Sequence, residues 1–141
     1  MKFQTVNENS FLLVFERGDE IGKTLTTLAR ERAIHGASFT AIGACRRATI
    51  AYWNPDTKEY EKIEVDEQVE VVSLTGNIAL GEDGQPRVHA HVALGKRDGT
   101  LIGGHFLSGE VHPTLELFLT TTRVVLQRRK DQETGLPLIA L

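Results

Sequence analysis

Arg87-Val88-His89-Ala90-His91-Val92-Ala93-Leu94-Gly95-Lys96-Arg97-Asp98-Gly99-Thr100-Leu101-Ile102-Gly103-Gly104-His105-Phe106-Leu107-Ser108 is the stretch on which the fold and the chemistry of this chain turn. Two apolar, β-branched runs flank a short polar segment that ends in Asp-Gly, the pattern of a β-hairpin. The spacing predicts a three-residue loop, Arg97-Asp98-Gly99, with Gly99 in the left-handed conformation and Lys96 opposite Thr100. Counting back from that pair sets Ala93 against Gly103, Val92 against Gly104 and His91 against His105. A strand's period of two puts His89 and His91 on the same face.

Directly opposed residues have Cβ atoms roughly 4.5–5.5 Å apart and diagonal ones roughly 7–8 Å apart. The rings of His89, His91 and His105 can therefore converge on one divalent ion, with Zn–N distances of ~2.0–2.1 Å. A lone His-x-His is an ordinary pair of half-exposed strand residues; the third histidine, across the turn, turns the pattern into a ligand set. Gly103 and Gly104 remove side chains where an ion, its ligand or another chain would approach. A register slipped by one residue would send His105 to the opposite face and dissolve the site. Three imidazoles leave a fourth tetrahedral position open, which permits catalysis without requiring it. Glu110 and Glu116 are the candidate catalytic carboxylates for such an enzyme, and each also reads as a solvated strand-end or loop residue.

Outward from the hairpin, alternation and turn residues predict strands over 3–6, 11–17, 38–42, 48–53, 60–65, 69–80, 100–108, 115–121 and 123–128. The segment His112-Pro113 falls in a loop, because a central strand does not tolerate proline. One helix is predicted from Asp19 onward, with Ile21, Leu25, Leu28 and Ala29 on a single stripe, Asp19 as its cap and Gly36 as the left-handed residue that ends it. Tight turns in place of helical crossovers imply a mainly antiparallel sheet, so the class is α+β.

The 141 residues are 40% hydrophobic and 25% charged, values of an ordinary globular chain. One domain spanning 1–141 is expected, with 129–141 as a peripheral tail. No apolar run approaches the ~20 residues of a membrane span, and the opening residues lack a secretory pattern, so the cytoplasm is the expected location. Cys45 is the single cysteine, which leaves no internal disulfide. Beside Arg46 and Arg47 it has a route to a lowered thiol pKa but no adjacent histidine to serve as base. The formal charge of −3 argues against a general attraction to nucleic acid. Local basic groups remain at Arg46-Arg47 and at Arg128-Arg129-Lys130, where charge runs at strand ends are usually solvated. Tyr52 and Trp53 read as packing residues, His35 as a favourable charge at the helix end, and His112 as a loop histidine that is a possible fourth ligand.

The segments Gly36-Ala37-Ser38-Phe39-Thr40-Ala41-Ile42-Gly43-Ala44, Leu74-Thr75-Gly76-Asn77-Ile78, His89-Ala90-His91-Val92 and Gly103-Gly104-His105-Phe106-Leu107-Ser108-Gly109 together resemble the PPC (plant and prokaryote conserved) domain. The resemblance runs from the first strand to about Arg128. It implies a compact antiparallel sheet with one main helix and short helical cover, commonly a homotrimer, with zinc at His89, His91 and His105. Plant members are DNA-associated, and bacterial stand-alone relatives carry a DNA-binding description on that basis. The plant proteins bind DNA through a separate basic arm centred on Arg-Gly-Arg, which these residues lack, so DNA is carried only by analogy of fold. Three readings follow: a homotrimeric zinc-binding protein of undetermined activity whose site either supports structure or holds a small ligand, a DNA-associated regulator, or a zinc-dependent enzyme acting on a small polar substrate.

Overall fold

The computed structural model describes residues 1–141, and the elements follow in the order β1 (Lys2–Asn7), β2 (Ser10–Glu16), α1 (Ile21–Glu31), β3 (Gly36–Asn54), β4 (Glu59–Val65), β5 (Val69–Leu80), β6 (Pro86–Gly95), β7 (Leu101–Thr121), β8 (Gln127–Lys130) and β9 (Pro137–Ala140). The α+β class holds: every ladder is antiparallel except a single bridge between Leu80 and Gln127, and one helix covers the sheet. Two long strands, β3 and β7, run against each other from Ala37↔Thr121 to Ala51↔His105. The first part of β3 also pairs with β5, its last part pairs with β4, and β6 lies between β5 and β7. The pairings β3–β5, β5–β6, β6–β7 and β7–β3 thus close on themselves, which leaves these four strands without a free edge along most of their length.

Strand alternation fills the interior. Leu115, Leu117 and Leu119 of β7, Leu13 and Phe15 of β2, Ile78 of β5 and Leu94 of β6 are fully buried, and α1 adds Ile21, Leu25, Leu28 and Ala29 from the predicted stripe. Each such large side chain contributes roughly 1.5–3 kcal/mol relative to exposure. α1 packs on β6 and β7, the two strands of the histidine hairpin.

The helix boundaries differ from expectation. Glu20, not Asp19, is the cap: its carboxylate accepts from the N–H groups of Gly22 and Lys23, and also from Gly109 N–H at 3.2 Å, which ties the helix to β7. The longer side chain reaches both partners at once. Asp19 instead accepts from Glu16 N–H at 2.8 Å and pairs with the N-terminal ammonium at 2.9 Å. The left-handed residue after the helix is Ala33, at φ 50°, and Gly36 opens β3. There a Cβ would stand 2.6 Å from both Thr122 Oγ1 and the Val124 carbonyl, so glycine serves close approach rather than helix termination.

Two predicted breaks are absent. Residues 38–42 and 48–53 belong to one strand, β3, which changes register near Gly43 by bulging instead of turning. His112-Pro113, expected in a loop, lies inside β7, where the ladder with β3 passes from Val111 to Leu115 and the ladder with β2 ends at Thr114. Pro113 has no ladder partner, so its missing N–H costs nothing. Of the strand predicted over 123–128, only its end is extended, as the start of β8. No helix is long and apolar enough to cross a membrane.

Candidate metal centre

The turn between β6 and β7 closes as its residues dictate. Lys96 N–H donates to Thr100 O at 2.9 Å, Gly99 N–H donates to Lys96 O at 2.9 Å, and Gly99 sits at φ 84°. Asp98 Oδ1 accepts from Thr100 N–H at 3.0 Å and from its hydroxyl at 2.7 Å, holding the loop in one shape. The register that follows is the predicted one, with Ala93↔Gly103, Val92↔Gly104 and His91↔His105. Ala90, Val92 and Leu94 point into the core, which leaves His89 and His91 on the outer face.

His89, His91 and His105 each present a ring nitrogen such that all three lie within 4.8 Å of one another. Their ring centroids are 5.0 Å (His89–His105), 5.3 Å (His89–His91) and 5.5 Å (His91–His105) apart. Tyr60 of β4 stacks on His105 at 4.5 Å between centroids, fixing one side of that ring. Glycines bring the backbones close enough for this. A Cβ at Gly104 would meet Ala51 O at 2.7 Å, one at Gly103 would meet Val92 O at 2.6 Å, and one at Gly76 of β5 would collide with the His89 carbonyl.

Burial and neighbouring charges favour the neutral form of His89 and His105. Burial, then the neighbouring His89 and His91 and the Arg128 guanidinium, push His105 down to about 4. His89 is lowered by the same burial, followed by Arg128 and His91. Neutral imidazole is the form that coordinates a metal. His105 Nδ1 is buried without any hydrogen-bond partner, a condition that costs roughly 1–3 kcal/mol when nothing answers it. A divalent ion would answer it, and a set of three neutral nitrogen donors suits zinc or a neighbouring transition metal rather than calcium or magnesium. The residues present therefore fit such an ion.

The other residues singled out in the sequence lie elsewhere. Glu110 accepts from Arg47 Nε at 2.9 Å and from Arg46 Nη1 at 3.3 Å, in a depression shared with Glu20 and Glu64. Glu116 sits farther along β7, opposite Val14 and Ile42. Neither carboxylate lines the cavity beside the histidines. The His112 carbonyl accepts from Gln68 Nε2 and its ring is outside the cluster, while His35 is exposed beyond the end of α1. Cys45 is 0% exposed and its thiol is pushed up to about 12 by burial and then by Glu20, the opposite of an activated nucleophile. Trp53 packs edge-on against Tyr60 at 5.1 Å.

A cavity of about 590 Å³ adjoins His89 and His105. Tyr60 and Val88 form part of one wall, and Arg128, Lys130, Leu136 and Leu138 of the β8–β9 ribbon form the other. Sequence reasoning saw Arg128-Arg129-Lys130 only as a solvated charge run, yet Arg128 is 5% exposed. Its guanidinium donates from Nη1 to Pro137 O at 2.9 Å and from Nη2 to Asn77 Oδ1, and Asn77 is the register partner of His89. The single bridge Leu80↔Gln127 that carries it inward has no signature in the sequence.

A closed antiparallel domain with a cluster of three imidazoles on its outer face defines a class in which a rigid hairpin presents ligand side chains. Within that class the chain belongs to the Plants and Prokaryotes Conserved (PCC) domain family, whose model matches residues 3–123. Among solved structures it is similar to the metal-containing protein of Archaeoglobus fulgidus, with 37% identity, all of both chains covered and a TM-score of 0.87. It is also similar to a plant- and prokaryote-conserved protein of Pyrococcus horikoshii, with 29% identity over 99% of this chain and 95% of the other and a TM-score of 0.86. A candidate DNA-binding protein of Ralstonia eutropha JMP134 shares 29% identity over 99% of this chain and 96% of its own, at a TM-score of 0.91. None of the proteins with curated descriptions matches the chain.

Proposed function

We propose that this is a homotrimeric, cytoplasmic metal-binding protein in which His89, His91 and His105 hold one zinc ion. The observation that carries the reading is the meeting of three ring nitrogens within 4.8 Å, one of the three rings having a buried nitrogen with no other partner. The similarity to a metal-containing archaeal protein at 37% identity supports it. When bound, zinc would supply a Lewis-acidic centre with a coordination position left for water or a small ligand. Tyr60 orients His105 by stacking, and the β8–β9 ribbon walls the cavity from which a ligand would reach the ion.

Self-association rests on an apolar patch. Ile42 (62% exposed), Val72 (50%) and Leu101 (62%) are exposed large side chains; Val72 borders a depression with Ile42 and approaches Gly95 together with Leu101. A closed cyclic oligomer would cover such a patch. A DNA-associated role is the second reading, favoured by the description of the Ralstonia protein. Its electrostatic footing is narrow, since Arg46 and Arg47 are both engaged by Glu110 and Arg128 is buried.

Zinc titration of chelator-stripped protein tests the metal reading. One equivalent per chain should bind, and His91→Ala should lose that binding; a wild-type chain that takes up no zinc overturns it. Light scattering should give three chains per particle. Absence of duplex binding at low salt would end the DNA reading.

A further inference from the structure

Arg128 is a buried cation without a counter-ion. No carboxylate lies within 4.0 Å of it, and its two hydrogen bonds go to neutral oxygens, those of Asn77 and Pro137. Its Nε is buried and has no partner at all. Enclosing a charge without an opposite charge costs several kcal/mol, so a guanidinium held this way calls for an anion from outside. Of the other charges around the cavity, Arg87 pairs with Asp83 at 2.6 Å, the exposed Glu82 carboxylate accepts only the backbone N–H of Lys130 at 3.1 Å, and the exposed Lys130 ammonium has no carboxylate within 4.0 Å. Arg128 is the one of these cations that is buried, beside three histidines that would themselves hold a dication.

We infer that the cavity between the histidines and the β8–β9 ribbon binds a small organic carboxylate, with the buried Arg128 as its anion-recognising residue. The inference rests on the metal reading for the second positive centre and deepens it by naming the ligand class. A guanidinium suits a planar carboxylate through paired N–H donors, and Arg128 lines the cavity with no carboxylate of the chain to answer it. The walls supplied by Tyr60, Val88, Leu136 and Leu138 favour an anion with an apolar body over a bare inorganic one. The ribbon itself is placed by the same contacts, since Arg128 bonds both to Asn77 on β5 and to Pro137 on β9. Ligand binding should therefore stiffen residues 127–140.

The test is calorimetric titration of zinc-loaded protein with isobutyrate, with isobutyramide as the neutral isostere and inorganic phosphate as the competing anion. Isobutyrate should bind one per chain and the amide at least tenfold more weakly. Arg128→Gln should weaken isobutyrate at least tenfold while zinc content, read by elemental analysis, stays at the wild-type value. Arg128→Lys should recover part of the loss. Equal binding of acid and amide, no binding of isobutyrate up to millimolar concentration, or preference for phosphate overturns the inference, and the ligand comparison needs no variant to fold. Failure of the metal reading is seen separately, as absent zinc. In that event the same titration on the metal-free chain still decides the role of Arg128, by a tenfold loss in Arg128→Gln or by none.

Discussion

Acidifying the metal-free protein should weaken its fold through His105, and the direction follows from where that ring sits. In the unfolded chain a histidine titrates near ~6.5; in the fold, burial and its neighbours hold His105 down to about 4. Between those values the unfolded state binds a proton that the folded state refuses, so stability is full above the upper value, falls as the pH drops below it and levels off near the lower one. A depression of this size corresponds to a limit of about 3.4 kcal/mol. The ring is only partly buried, and solvent screening reduces the effect to about half of that. For a domain of this length, a change of that order moves the melting temperature by roughly 6 °C. The assay is thermal denaturation in the presence of a chelator from pH 7.5 to pH 4, wild type against His105→Gln. The wild type should lose roughly 6 °C more than the variant across the window, because glutamine cannot take the proton. Parallel curves for the two proteins would refute the reasoning. With zinc present the loss should begin from a higher melting temperature, since protons and metal compete for the same nitrogens.

Gly104→Ala places a Cβ against Ala51 O at 2.7 Å and must part β3 from β7 beside His105; it should lower zinc affinity at least tenfold in a competition titration, although no ligand is changed. Leu117→Ala removes a fully buried side chain from the part of β7 that lies between β2 and β3 and should cost about 2–5 kcal/mol in urea denaturation while leaving one zinc per chain. Cys45, buried and held protonated, should react with a thiol reagent only at the rate of unfolding; fast labelling of the native chain would contradict its placement.

The histidine hairpin was legible because every step in its derivation is local. Asp98-Gly99 selects the turn, the turn selects the register, and the register sets which face each ring takes. The helix stripe was legible for the same reason, as periodicity over one segment. What escaped depends on partners distant in sequence. Glu20 displaces Asp19 as the cap because Gly109, on a strand far along the chain, offers a third N–H to the longer carboxylate. Pro113 enters a strand because the β2 ladder ends at Thr114 and the β3 ladder shifts register between Leu115 and Val111, and neither change is written next to it. Arg128 was read by its charge and its neighbours in sequence, whereas its burial comes from Asn77 and Pro137, which reach it across three strands. Glu110 and Glu116 were candidates by residue type alone, and they lie five and eleven positions beyond His105 on the strand they share, away from the cavity beside the histidines.

Elemental analysis of untagged protein, purified without added metal or chelator, puts the three-histidine centre to its most direct trial. About one zinc per chain is expected, falling to background in His91→Ala. Wild-type protein free of transition metal that also refuses zinc on titration, or metal retained at full stoichiometry when all three histidines are replaced, would contradict it.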